Sequence, residues 1–127
     1  MTELGIAERI RNVVEKDPRF PPEAYRFVFE ALDFTVKTLG IRRHISGVEL
    51  LEGIRNYSLK QFGGMTRTVF RMWGIEKTAD FGDIVFNMVE EGLMGKTDAD
   101  SRDDFDNIYD FDEAFPLLFS PDQSLRD

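Results

Sequence analysis

The chain has no cysteine, a single histidine, a single tryptophan and no excess of basic residues. Without cysteine there is no disulfide, no thiolate nucleophile and no thiolate-held zinc or iron–sulfur site, a composition that fits a reducing compartment. One histidine, His44, leaves no His–His pair for a metal and no Ser–His pairing motif for a triad, so a structural or solvent-facing role is its first reading. No stretch approaches the ~20 apolar residues of a membrane span. The start, Met1 to Arg9, lacks both the basic opening and the apolar run of a secretory leader. The expected compartment is therefore the cytoplasm, with no membrane partner. Gly63-Gly64 is not followed by the Lys-Ser/Thr of a phosphate loop, and no nucleotide motif is present.

What is present is enough to fold. The 127 residues are 42% apolar and include twelve Phe, which suits one core rather than two. A single helical domain is expected over residues 1–116, with an acidic-aromatic segment at 98–116 and a frayed tail at 117–127. The net charge of -8 is placed unevenly: residues 1–97 carry 14 Lys and Arg against 14 Asp and Glu, whereas residues 98–127 carry 2 against 10. Phosphate backbones are bound through clustered Lys and Arg, so nucleic acid is a disfavoured partner.

Hydrophobic spacing and punctuation predict about five helices. Ile6, Ile10, Val13 and Val14 mark one from Glu3 to Lys16, ended by Asp17-Pro18. Pro21-Pro22-Glu23 opens a second, which runs through Phe27, Val28, Ala31 and Thr35 to Gly40. Its other face carries Tyr25, Phe29 and Phe34, more aromatic surface than a solvated face needs, and predicts burial on two sides or a partner there. Ser46-Gly47-Val48-Glu49 is a capping box that starts a third helix, which ends at Gly63-Gly64. A short fourth spans Met65 to Trp73, with Met65, Met72 and Trp73 read as core. Thr78 is expected to cap a fifth that carries Phe81, Ile84, Val85 and Met88 to Gly92.

Beyond Gly92 the pattern changes. Leu93 to Thr97 and Phe105 to Phe111 alternate in part, and two short strands joined by an acidic loop would account for them. The expected fold is thus mainly α, with a small C-terminal β-hairpin and a winged-helix-like topology as possible additions. A DNA-reading helix needs Arg, Lys, Asn or Gln, yet Thr78 to Glu91 offers only Asn87 among four acids.

Three clusters are candidate sites. Asp98, Asp100, Asp103, Asp104 and Asp106 form the only acidic run dense enough to attract a divalent cation, although neither EF-hand register through it holds. Within the same segment Phe105, Tyr109, Phe111 and Phe115 alternate with acids. The plainer reading packs these rings on the helices; the sharper one offers Asp103, Asp104, Asp106, Tyr109 and Phe111 to a protein partner, a basic one by charge, together with Tyr25 and Phe29. Arg42, Arg43 and His44 form the one dense basic cluster, suited to an anion or to pairing with the chain's own acids.

The strings His44-Ile45-Ser46-Gly47-Val48-Glu49-Leu50-Leu51-Glu52-Gly53-Ile54-Arg55, Phe62-Gly63-Gly64-Met65, Trp73-Gly74-Ile75, Thr78-Ala79-Asp80-Phe81-Gly82-Asp83-Ile84-Val85-Phe86, Glu91-Gly92-Leu93-Met94, Asp103-Asp104-Phe105 and Tyr109-Asp110-Phe111 resemble the Minf-type family of short bacterial proteins of unknown function. The resemblance covers about residues 4–115. It departs at Val48, where the family pattern has a polar Gln. It implies a bacterial cytosolic setting and no catalytic residue.

The functional expectation is a non-enzymatic protein-interaction or regulatory module with no required cofactor and no catalytic residue. The competing expectation is a metal-binding protein or metal-dependent enzyme using the acids of 98–106 with His44. A second copy of the chain is a further candidate to cover the aromatic surfaces.

Overall fold

Helices begin and end where proline, glycine and capping side chains set them, and the computed structural model of the chain describes residues 5–40, 44–95 and 102–116. Helix α1 (Ile6–Lys16) buries Ile10 and Val13 and gives way to extended backbone at Asp17, before Pro18. Helix α2 (Pro22–Leu39) takes Pro22 in its first turn and stops at Gly40, whose φ of +64° glycine adopts without steric cost. Helix α3 (Gly47–Phe62) opens on the complete capping box: the Glu49 N–H donates to Ser46 Oγ at 3.1 Å and the Ser46 N–H donates to Glu49 Oε1 at 3.0 Å. A 3-10 turn over Gly63–Met65 leads into α4 (Thr66–Met72), and α5 (Thr78–Glu90) follows. A second 3-10 turn, Arg102–Phe105, and the one-turn α6 (Phe111–Ala114) complete the order.

The fold is mainly α, with the five helices where the spacing predicted them. Among the described residues there is no strand, and the hairpin expected through Phe105 to Phe111 does not form, nor does a wing built on it. Local polar chemistry and core burial compete with a strand here. Asn107 adopts a left-handed φ of +49°, which bends the chain. The Asp110 carboxylate accepts from the Asp112 N–H at 3.1 Å and starts α6. Phe105, at the end of a 3-10 turn, and Phe111 and Phe115, on and just after a one-turn helix, are all buried in one core.

Helices α2 and α3 share the most extensive helix contact. They meet at Gly53, where an added Cβ would lie 1.7 Å from Thr35 Oγ1, so the absence of a side chain sets their separation. Phe70 of α4 is the hub of the core. Its fully buried ring lies within 6.2 Å, centroid to centroid, of Phe27, Trp73, Phe81, Phe111 and Phe115. The 102–116 segment is therefore keyed into the helices through aromatic contacts of about 0.5–1.5 kcal/mol each beyond area burial. Two methionines depart from expectation: Met65, at the end of the 3-10 turn, is 49% exposed, and Met72 is 75% exposed because the two-turn α4 buries only its Thr66 and Phe70 face. Met88 is buried as expected.

A polar network ties the α1–α2 connection to α5. Arg19 donates to both carboxylate oxygens of Asp17, at 2.9 and 2.7 Å, and to Asp83 at 3.1 Å. The Asn87 amide donates to Asp17 at 2.8 Å and to the Tyr25 hydroxyl at 3.2 Å. Among the described residues no helix is long and apolar enough to cross a membrane.

Candidate functional site

Three helices and the C-terminal segment leave a cavity between them. Leu32 and Val36, one turn apart on α2, supply one wall, and Val85, Phe86 and Val89 of α5 supply another. The start of α3 brings Ile45, Gly47 and Leu50, and Met94 and Phe105 close the lining to a volume of about 240 Å³. Its polar side chains are His44 and Ser46, and the Ser46 hydroxyl is occupied by the capping box. Residues 41–43 and 96–101, which adjoin this lining in sequence, lie outside the described residues.

Phe105 is the residue that shapes the cavity. Its ring stands against two glycines: a Cβ on Gly47 would lie 3.0 Å from Phe105 Cε2, and one on Gly82 would lie 2.8 Å from Phe105 Cβ. Phe86 meets the ring edge-on at 6.3 Å. The backbone is pinned by Thr78, whose buried hydroxyl donates to the Phe105 carbonyl at 2.5 Å and accepts from the Ile108 N–H at 3.2 Å. Thr78 is thus not the cap of α5. Asp80 serves that end, accepting from the Glu76 and Lys77 N–H groups at 2.8 and 3.3 Å.

The residues singled out in the sequence are divided by this arrangement. Asp103 and Asp106 are exposed and Asp104 is partly buried beside Gly47, with its Cβ 3.2 Å from the position of an added Cβ there. Phe111 is buried, which removes it from any partner surface. Tyr109 is half-buried, and its hydroxyl donates to the Leu51 carbonyl at 2.8 Å. Burial pushes the Tyr109 phenol well above its usual range.

For Tyr25 burial, not a partner, is the outcome: it is fully buried, edge-on to Phe20 and bonded to Asn87, and burial raises its phenol too. Its position in the first turn of α2 faces it to the α1–α2 connection, which the helical stripe alone did not reveal. Phe29 remains half-exposed. His44 is exposed and lines the cavity, while Arg42 and Arg43 lie outside the described residues. An ion pair to the acidic segment comes from α4, where Arg67 pairs with Asp112. Asn87, the one base-reading side chain of α5, is turned inward to Asp17 and Tyr25.

Asp98 and Asp100 of the proposed cation cluster lie outside the described residues. Among the described residues no group of three or more His, Cys, Asp or Glu is placed to hold a metal ion. The cavity itself was not foreseen. The signal for its wall was Gly82, an isolated glycine inside an otherwise apolar helical stripe, which marks a close approach by another part of the chain. No family model, no curated protein and no solved structure matches the chain.

Proposed function

We propose that this chain is a non-enzymatic protein-interaction module that receives an apolar side chain of its partner in the cavity between α2, α3 and α5. The observation that carries the proposal is the cavity: about 240 Å³, lined by the aliphatic and aromatic side chains of four chain segments. A cavity of about 150 Å³ with similar walls accepts benzene, so this one has room for a large apolar side chain. Interfaces concentrate their binding energy in such anchors, set in well-packed pockets. The lining is mostly aliphatic and aromatic, and the Ser46 hydroxyl is engaged in the capping box, which favours binding over chemistry. The resemblance to the Minf-type family adds a bacterial cytosolic setting to this proposal and no site residue.

The test is a matched comparison of baits. Val89 is partly buried in the lining, so Val89→Trp fills the cavity from its edge. Wild type, Val89→Trp and the remote α1 variant Glu15→Gln are tagged and used to capture proteins from the native lysate. A partner held by wild type and Glu15→Gln and lost from a folded Val89→Trp supports the proposal. The same partners on all three baits would remove the cavity from the interaction.

A further inference from the structure

We infer that α4 carries a second docking face, independent of the cavity, for an amphipathic helix of a partner protein that sets Asp or Glu beside its apolar residues. Met65, just before α4, and Val69 and Met72 on it fall at i, i+4 and i+7, a stripe opposite the buried Thr66 and Phe70. Met65 is 49% and Met72 is 75% exposed, and Val69 is partly exposed. Trp73, also partly exposed, adjoins the stripe, its ring edge-on to Phe62 at 6.0 Å. Single exposed apolar side chains are ordinary, but these are neighbours on one short helix, and flexible methionines beside a tryptophan are what interfaces recruit. The face stands apart from the cavity: Gly47 and Leu50, in the first turn of α3, line the cavity, whereas α4 follows the other end of that helix, about 20 Å along it.

The partner's form and charge follow from what the structure places here. Among the described residues there is no strand, so there is no sheet edge for an extended segment to join. From Met65 to Met72 the stripe runs about 10 Å, the length of two helical turns laid against it. Residues 53–75 carry four bases, Arg55, Lys60, Arg67 and Arg71, and no acid. Arg55 pairs with Glu52 at 3.4 Å, Lys60 lies over the Phe34 ring at 5.6 Å, and Arg67 pairs with Asp112. Arg71, exposed and next to Met72, has no such engagement among the described residues. Glu76, the next acid along the chain, lines a different groove with Lys77 and Tyr109. The chain thus meets one arginine of α4 with its own Asp112 and leaves the arginine one turn on to a carboxylate from outside. Such a pair, which arginine can make bidentate, fixes register and partner choice, while the apolar seat supplies most of the affinity.

The experiment is selection from a displayed library of peptides of about 14 residues, with Leu, Phe or Met at i, i+4 and i+7 and the other positions randomised, against the intact chain at low salt. Clones are sorted on Met72→Glu and on Met94→Glu, the latter in the cavity lining, each variant checked by circular dichroism. A class lost from Met72→Glu and retained by Met94→Glu is expected, rich in Asp and Glu and able to shift the emission of Trp73, the only tryptophan. Its members should bind Arg71→Glu roughly ten-fold more weakly, and Lys in place of their acids should restore binding to that variant. Met72-dependent clones that are neutral or basic would overturn the acidic partner. No Met72-dependent clone would overturn the face, and binding of phosphatidylserine vesicles that Met72→Glu abolishes would then assign it to a membrane surface instead. Loss of every clone on Met94→Glu alone would return all binding to the cavity and also refute the second face.

Discussion

Phe105 should hold the C-terminal segment to α3 and α5, and its truncation has a calculable cost. The side chain is 2% exposed, so Phe105→Ala forfeits most of the roughly 2–3 kcal/mol gained by burying a large apolar group. A void adds to this, and core Phe→Ala changes cost about 3–5 kcal/mol in all. The ring already borders a cavity of about 240 Å³, so it makes fewer contacts than one packed on every side. That places the expected loss near the lower end, about 3 kcal/mol. Gly47→Ala tests the same contact from the other side. Its Cβ would come within 3.0 and 3.1 Å of Phe105 Cε2 and Cζ, closer than ordinary contact, at a cost of about 1 kcal/mol. With the ring removed, only the 3.2 Å approach to Asp104 Cβ remains, and alanine is the better helix former, so Gly47→Ala in the Phe105→Ala background should cost clearly less than in the wild type. Urea unfolding followed by far-UV circular dichroism and by the fluorescence of Trp73 gives all four stabilities at constant slope. A coupling of about 1 kcal/mol is expected from the double-mutant cycle. Strict additivity, or a Phe105→Ala loss below about 1 kcal/mol, would refute the wedge.

Three further outcomes follow from other parts of the fold. Gly53→Ala drives a methyl group into Thr35 Oγ1 at 1.7 Å and into Thr35 Cβ at 2.8 Å, so it should cost about 2–3 kcal/mol, with Thr35→Ala relieving it only in part; a wild-type thermal melt would contradict the close α2–α3 approach. Burial raises the phenols of Tyr25 and Tyr109, and burial with the Glu30 hydrogen bond raises that of Tyr57. The neutral phenol is then favoured by the fold, so this contribution is complete below about pH 10 and is lost as pH rises beyond it. Phenolate absorbance should therefore appear late and together with unfolding, and an ordinary titration near pH 10 with the fold intact would count against buried tyrosines. Asp17 is held well below the usual carboxylate range by its hydrogen bonds to Arg19, so its contribution is present above about pH 4 and is lost as pH falls. Asp17→Asn should flatten the acid limb of a stability–pH curve, and an unchanged limb would rule out this network as its source.

The helices were legible because their boundaries are local. Pro18, Pro22, Gly40, the Ser46–Glu49 box and Gly63 act within one turn of themselves, and each ends or starts a helix within a residue or two of where spacing placed it. That the rings of the C-terminal segment pack on the helices was legible as the plainer reading, but its backbone was not, because it is decided at a distance. Partial alternation from Phe105 to Phe111 reads as a strand, but Thr78, 27 residues away, takes the Phe105 carbonyl, and Phe70 on α4 receives Phe111 and Phe115. Tyr25 was legible only as one of two alternatives, burial or a partner, for a similar reason. A helical wheel assigns it to the face of Phe29, while the α1–α2 connection, led by Phe20 and Asp17, folds over that end of α2 and buries it. The cavity is a space between four segments, and no single stretch of sequence encodes a space. The acidic run was visible as composition, though the place of Asp104 beside Gly47 was not.

One short stretch thus settles two matters that composition leaves open. The helices hold balanced charge in sum. From 102 to 116 the chain alternates rings with carboxylates, and the core can accept only the rings, since an unpaired buried carboxylate is far more costly than an exposed one. Burying Phe105, Phe111 and Phe115 against α3, α4 and α5 therefore forces Asp103, Asp106, Asp110 and Asp112 outward. Because Phe105 seats against Gly47 and Gly82, where helix surfaces lack side chains, its ring lies low enough to wall a cavity without filling it. The residue that secures the segment is then also a wall of the proposed cavity site. The fold and the proposed site depend on the same burial, so Phe105→Ala should damage both, whereas Asp103→Asn and Asp106→Asn, at exposed positions, should spare the fold.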